Sequence, residues 1–263
     1  MNIALIIANY NSSEFIQRAI YPWIEYNKNA THKIIIGVID GLFIGFDGKS
    51  PNSDDGGVEL MDDYVKNGHI HSFIKSTTPL TEHDARNIAL KNLTENYTID
   101  YVMISAFDEI FTVDQIENIV SYIIKNPFIY NFRLQYKNYT FSNKTYTLGF
   151  NPKRIWKLKP NITCIFDKFR WDDDGQYKNE NTGAILLDDY CTSKTIPNIL
   201  IRHETWLSNT RSKNKVEYQE KHFAPPTGAG CSFRWNDAQN ILEFNDNYYK
   251  ITNTQKPTLY HDD

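Results

Sequence analysis

Four short apolar runs, spaced by helical stripes, set the strongest constraint on this chain. They are "IALIIA" (3–8), "KIIIGVID" (33–40), "IHSFI" (70–74) and "DYVMISAF" (100–107). The first, second and fourth are too continuous in apolar residues for a strand wet on one face and read as buried strands, and "IHSFI" reads as a third strand. Between the first two, Phe15, Ile16, Ala19, Ile20, Trp23 and Ile24 keep a helical stripe, with a kink expected at Pro22. "VELMDDYVKNG" (58–68) is a short helix stopped by Gly68, and "TEHDARNIALKNL" (81–93) is another. "VDQIENIVSYIIK" follows the fourth run, and "IYNFRLQY" (129–136) gives a fifth strand. Asn11 with Glu14, and Thr112 with Gln115, have the spacing of capping boxes. Strand and helix alternating at these lengths predict right-handed crossovers. The expected fold class is α/β, a mostly parallel central sheet with helices on both faces. Ligands of such sheets bind beyond the carboxyl ends of the strands. Here those ends are Ala8–Tyr10, Asp40–Gly41 and Asp108–Glu109.

After about residue 137 the alternation stops. "KNYTFSNKTYTLGF" reads as a hairpin and "RIWKL" as a strand. Residues 160–195 are polar and irregular, with an acidic cluster at "RWDDDGQY". "IPNILIRHETWL" reads as strand, followed by helix through "RSKNKVEYQEKHF" and a break at "APPTGAG". The tail carries no clear period. With no linker or repeat, residues 1–263 are expected to form one domain, 1–136 of nucleotide-binding type and 137–263 closing the site.

Net charge is −4, which argues against nucleic acid or an anionic membrane as the main partner. No apolar run approaches the roughly 20 residues of a membrane helix. The start, "MNIALIIANYN", lacks a basic n-region and reads as a strand. Cys164, Cys191 and Cys231 are odd in number and form no CxxC pair, so neither a disulfide framework nor a zinc site is expected. A cytoplasmic location is the resulting expectation. Aromatic residues reach 14%, enough to supply surfaces that stack on a base or sugar ring as well as filling the core.

Asp108 and Glu109 end the fourth run. Carboxylates at a strand end suit Mg²⁺ or Mn²⁺, which bind few protein oxygens and bridge to substrate phosphates. Such an ion stabilises a diphosphate leaving group by Lewis-acid action. The alternative is a charge at the N-terminus of the next helix, favoured by its dipole.

Taken in order, "IALIIANYN", "VIDG", "DARNIAL" and "YVMISAFDEIF" resemble the first hundred or so residues of family 2-type glycosyltransferases with the GT-A fold. The resemblance covers about residues 1–125. A second patch, "IRHETWLSNTRSKNKVEY", is similar to a His-x-x-Trp…Lys segment of some members. The resemblance implies a nucleotide-sugar half followed by an irregular acceptor-binding half. It implies that Ala8 and Tyr10 line a base pocket, that Asp40 hydrogen-bonds the base of a UDP-sugar, and that Arg86 lies near the phosphates. Asp108 would bind Mn²⁺ or Mg²⁺, with His203 a direct ligand or an outer partner. Two departures stand out. Ala106 replaces the first acid of Asp-x-Asp, leaving Ser105 as a weaker ligand, and the stretch "GLFIGFDGKSPNSDDGG" is longer than the usual Asp-x-Ser. That stretch reads as a loop over the nucleotide.

In the second half, Trp206 is expected one helical turn after His203, with Arg211, Lys213 and Lys215 placed to neutralise a diphosphate. A solvated helix face explains those cations equally well. In "RWDDDG", Asp172 or Asp173 could take the acceptor's proton while Trp171 stacks on the acceptor sugar. Arg154 and Trp156 are further candidates for an acceptor cleft, and an acidic surface loop is the plain alternative for the aspartates. The leading expectation is a metal-dependent, inverting glycosyltransferase, a hexosyltransferase using a UDP-sugar and a glycan or other hydroxyl acceptor. A nucleotidyltransferase would carry a Gly-rich basic loop after the first strand, which "ANYNSSEF" lacks. A nucleotide- or glycan-binding protein without catalysis is the alternative that Ala106 favours.

Overall fold

A computed structural model describes residues 1–44, 50–149, 151–158, 168–171, 177–180, 193–207, 212–217 and 232–262. Of residues 168–171, 177–180, 205 and 241 only the backbone is described. The first half alternates as its sequence requires: β1 (Asn2–Asn9), α1 (Ser13–Asn29), β2 (Lys33–Asp40), α2 (Gly57–Lys66), β3 (Ser72–Lys75), α3 (Glu82–Asn96) and β4 (Tyr101–Ser105). A two-residue strand, β5 (Glu109–Ile110), then precedes α4 (Val113–Lys125) and β6 (Asn131–Thr140). β1 pairs in parallel with both β2 and β4, and β2 with β3.

Alternate residues of β1 serve two cores, because successive side chains on a strand point to opposite faces. Ile3, Leu5 and Ile7 face α1 and α4, packing with Ile16, Ile20, Trp23, Ile116 and Ile123. Ala4 and Ile6 face α3, packing with Ala85, Ala89, Leu90 and Leu93. This two-sided burial is why the strand runs read as unbroken apolar stretches. A Cβ on Gly37 of β2 would lie 2.8 Å from Leu93 Cδ1, so α3 sits close on the sheet there.

The second half extends the same sheet with antiparallel strands. β7 (Thr145–Thr147) closes the expected hairpin with β6, and β8 (Lys153–Lys157) inserts between β4 and β6, antiparallel to both. β9 (Lys168–Trp171) and β10 (Tyr177–Glu180) form a separate antiparallel two-stranded sheet. The long β11 (Ser193–Trp206) runs parallel to β6 and touches β5. The tail, which has no clear period, forms the hairpin β12 (Phe233–Asn236) and β13 (Ile241–Phe244), then α5 (Asp246–Thr252) and β14 (Leu259–His261). β14 pairs with β7 at one edge, giving the order β14-β7-β6-β8-β4-β1-β2-β3. β6 itself crosses residues 136–137, so the two halves share this sheet. The segment "APPTGAG" lies outside the described residues.

Two helix starts differ in instructive ways. Thr112 and Gln115 form the expected capping box on α4. At α1 the N-cap is Ser12, which makes no side-chain cap bond, and Asn11 has φ 47°. Instead Asp55 accepts from Ser13 N at 2.8 Å and from Gly57 N at 3.0 Å, holding the starts of α1 and α2 with one carboxylate. α1 runs through Pro22 as one helix. Among the described residues no helix is long and apolar enough to cross a membrane.

Candidate active site

The carboxyl ends of β1, β2 and β4 converge on one edge of the sheet. At the end of β2, Asp40 is 0% exposed. Asn9 Nδ2 donates to its Oδ1 at 2.6 Å, Ser53 N donates to Oδ2 at 2.8 Å, and the Ser53 hydroxyl donates to Oδ1. Asn52 Nδ2 donates to the carbonyls of Asp40 (3.0 Å) and Ser76 (2.9 Å). Asp40 therefore fastens the incoming loop to the sheet instead of presenting an open carboxylate to a base. Tyr10 stands beside it, its hydroxyl donating to the Ser50 carbonyl at 3.2 Å. Burial and the neighbouring Asp54 and Asp40 raise the Tyr10 pKa. Ala8 is half-buried at the same strand end.

Beyond β4 the chain turns through Ala106, with Glu109 N donating to the Ala106 carbonyl at 3.0 Å. The turn delivers Asp108 and Glu109 to opposite tasks. Asp108 faces His203, whose Nε2 lies 3.8 Å from Asp108 Oδ2. The approach is fixed by backbone: β5 pairs Glu109 with His203, and Glu204 N donates to the Asp108 carbonyl at 2.8 Å. His203 Nδ1 meets Asn138 Oδ1 at 2.6 Å, and Tyr136 packs edge-on against the ring at 5.8 Å.

Glu109 does not cap α4. It is 1% exposed and lies in a buried ionic knot. Its carboxylate pairs with Arg154 and accepts from Ser105 Oγ at 2.9 Å and Tyr136 Oη at 3.3 Å. Burial drives the Glu109 pKa up, against the pull of Arg154. The Arg154 Nε also donates to Tyr136 Oη at 3.2 Å. Burial works to lower the Arg154 pKa, but Glu109, Tyr136 and Glu82 together outweigh it and the net shift is upward. Tyr136 is pushed up by burial and by Glu109. Arg86, at the first turns of α3, pairs with Glu82, and burial depresses its pKa while Arg154 repels it. Ser105 is thus engaged with Glu109, not aimed at an ion beside Asp108.

Glu204, the neighbour of His203, anchors the far side of β11. Arg18 of α1 reaches it at 3.2 and 2.6 Å, and Arg202 Nε also donates to it. Arg202 stacks on Tyr139 at 3.7 Å. Burial pushes the Glu204 pKa up, but the hydrogen bonds and charges of the two arginines prevail and hold it low.

Several expectations change. Trp156, a candidate for the acceptor cleft, is 8% exposed and packs in the α3-side core beside β1 and β4. Trp206 is on strand β11, not a helical turn beyond His203, and an irregularity separates the two. Its ring packs on Phe233 at 4.7 Å, with Lys215 Nζ 5.0 Å above it. Lys213 pairs with Asp237 at 2.7 Å. Asp172, Asp173 and Arg211 lie outside the described residues, and Trp171 is described only as backbone in β9. Asn138, Tyr136 and Arg18 enter the surroundings of the site from positions whose local sequence carries no motif, whereas Arg154, a candidate for the acceptor cleft, pairs with Glu109, and Glu204 lies inside the His-x-x-Trp patch.

Asp108 and His203 fit a divalent ion as a two-donor set. A carboxylate oxygen and an imidazole nitrogen both suit such an ion, and one or two protein ligands suffice when substrate phosphates and water complete the shell. Among the described residues no group of three or more His, Cys, Asp or Glu forms a fuller metal cage.

No family model matches the sequence, and no curated protein matches it. Among solved structures the chain is similar to S. aureus TarS 1–349, at 12% identity over 91% of this chain and 77% of that one, with a TM-score of 0.49. The complex of TarS 1–349 with UDP-GlcNAc aligns at 15% identity over 55% of this chain and only 36% of that chain, with a TM-score of 0.40. A third similar structure is the mannosyltransferase PcManGT from Pyrobaculum calidifontis in complex with GDP-Man and Mn²⁺, at 13% identity, 83% and 63% coverage and a TM-score of 0.49.

Proposed function

We propose that the protein is a GT-A-type glycosyltransferase that moves a sugar from a UDP-sugar to an acceptor hydroxyl with the help of Mn²⁺ or Mg²⁺. One observation carries the reading. Asp108 and His203, ninety-five positions apart, meet at 3.8 Å beyond the carboxyl end of β4, where an α/β sheet binds its ligand. The order of the motifs in residues 1–125 supports the same conclusion.

In this reading Asp108 and His203 hold the ion, which when bound neutralises the diphosphate as it leaves. Tyr10, Ala8 and the loop fastened by Asp40 frame the nucleoside, Asp40 acting through Ser53 and Asn9. Arg86, with Arg211 and Lys215, supplies positive charge to the phosphate side. The acceptor oxygen bonds to the anomeric carbon as the bond to the diphosphate breaks, and the acceptor proton passes to Asp172 or Asp173. Attack from the face opposite the leaving group inverts the anomeric centre. Trp171 stacks on the acceptor.

Calorimetry with UDP, with and without Mn²⁺, tests the reading on the parent and on Asp108→Ala. Tighter UDP binding with Mn²⁺ in the parent alone is expected. Equal affinity in all four titrations sinks it. Ala106 favours a second reading, a binding protein of the same fold without catalysis. UDP release from a panel of UDP-sugars separates the two, since binding without turnover supports the second.

A further inference from the structure

His203 is more tightly prescribed than a ligand role requires. Asn138 and His203 are direct partners in the parallel β6–β11 register. At 2.6 Å, Asn138 Oδ1 meets His203 Nδ1. An amide oxygen only accepts, so the imidazole must donate, and Nδ1 must carry the proton. A neutral ring then has an unprotonated Nε2, and that is the nitrogen 3.8 Å from Asp108. Tyr136 braces the ring face at 5.8 Å, and its own hydroxyl is tied to Glu109 at 3.3 Å. The ring is held at one edge by the amide and on one face by the phenol, so its rotation is restricted at both.

We infer that Asn138 is a positioning residue that fixes His203 as its Nδ1–H tautomer and so aims an unprotonated Nε2 at Asp108. The proton on Nδ1 follows from the Asn138 contact and the bare Nε2 holds for the neutral ring, whereas its value to a cation rests on the function proposed above. A ligating imidazole whose second nitrogen donates to a fixed acceptor is both oriented and made more basic. An Asn turned the other way would donate to Nδ1 and force the proton onto Nε2, which would face Asp108 with a donor. The two arrangements predict opposite rings.

The test is a ¹⁵N long-range correlation spectrum of the intact chain at about pH 8, above the usual imidazole range of about 6.5. His203 is assigned by difference with His203→Gln. The parent should show Nδ1 protonated and Nε2 not. Asn138→Leu should shift the ring towards the Nε2–H form, and Asn138→Asp, which keeps an acceptor, should not. Mn²⁺ titrated with UDP present and followed by electron paramagnetic resonance should bind about 10–100-fold more weakly to Asn138→Leu, with Asn138→Asp close to the parent. Circular dichroism checks that each variant is folded. A parent ring protonated on Nε2, or a tautomer unmoved in Asn138→Leu, overturns the inference. Tautomer control as described, with no Mn²⁺ bound by the parent, supports the inference and removes the cation from the proposed function.

Discussion

Two glutamates flank the Asp108–His203 pair, one beside each member, and their surroundings push them in opposite directions. Glu109 is 1% exposed and Glu204 is 2% exposed, but Glu109 is enclosed more deeply, so desolvation weighs more on it. Glu109 is hydrogen-bonded by the guanidinium of Arg154, itself only 13% exposed, and its pKa is raised. Glu204 has two, from Arg18 and Arg202, whose side chains are 55% and 33% exposed, and its pKa is lowered. A buried acid served by partners that remain hydrated is held charged at less cost than one whose partner is buried with it. Glu109 thus belongs to a dry knot under the site, and Glu204 to a wetter clamp behind it.

The sharpest way to break the comparison is to remove the partner from the dry side. Arg154→Ala leaves the Glu109 carboxylate buried without its salt-bridge partner, held by the Ser105 and Tyr136 hydroxyls and the Ala106 backbone. Loss of one member of a buried pair costs about 3–5 kcal/mol. Urea denaturation of Arg154→Ala should show a loss of that size. A change below about 1 kcal/mol would mean that Glu109 is already neutral in the parent.

On the wet side a single deletion should do less. Arg18→Ala leaves Arg202 on Glu204, and Arg18 is half-exposed, so a loss of about 1 kcal/mol or less is expected. Removing both arginines strands the carboxylate, and the double variant should lose more than the sum of the singles. Strict additivity in that cycle would show that the two guanidinium groups do not share Glu204.

Neither cluster could be read from the sequence, although the sheet around them could. β1, β2 and β4 announce themselves because both faces of each are buried, and the helices between them keep their own period. Asp108 was legible as an acid at a strand end. Glu109 next to it reads as a cation ligand or, alternatively, a helix charge; its buried pairing is hidden because Arg154 arrives 45 residues later on a strand inserted antiparallel between β4 and β6. Arg18 meets Glu204 across 186 residues, a closure no local pattern encodes. "IPNILIRHETWL" reads as strand, but the helical turn expected between His203 and Trp206 hides the alternation along β11, which sends His203 to one side and Arg202 with Glu204 to the other. Asp40 was visible as a terminal acid. Its burial depends on Ser53, which returns only after a loop.

The pH axis sharpens the contrast further. Glu204 has a folded pKa below its ordinary value near 4.5, so it contributes stability above the unfolded pKa that is lost as pH falls through the folded one. Glu109 has a folded pKa above that value, so its contribution has the opposite sign and falls as pH rises from the unfolded pKa towards the folded one. Urea midpoints of the parent and Glu204→Gln should therefore differ most at neutral pH and converge as the solution is acidified below about 4.5. A gap that widens on acidification would reverse the sign assigned to Glu204.

The smallest effect concerns what keeps Arg202 in place. Its guanidinium lies 3.7 Å from the centre of the Tyr139 ring, and the Tyr139 hydroxyl donates to Asp262, which also takes Lys137 at 2.7 Å. The ring supplies the cation–π contact, and the hydroxyl ties that ring to the chain's end beyond β14. Tyr139→Leu should cost about 0.5–1 kcal/mol through the lost contact, beyond any change in packing. Tyr139→Phe keeps the ring and should cost less. If the contact matters through Glu204, the Leu variant should also lose part of its effect in an Arg202→Ala background, whereas the Phe variant should not. Equal effects of Leu in both backgrounds would make Tyr139 a packing residue of the β6–β7 hairpin and leave Arg18 as the main guardian of the Glu204 charge.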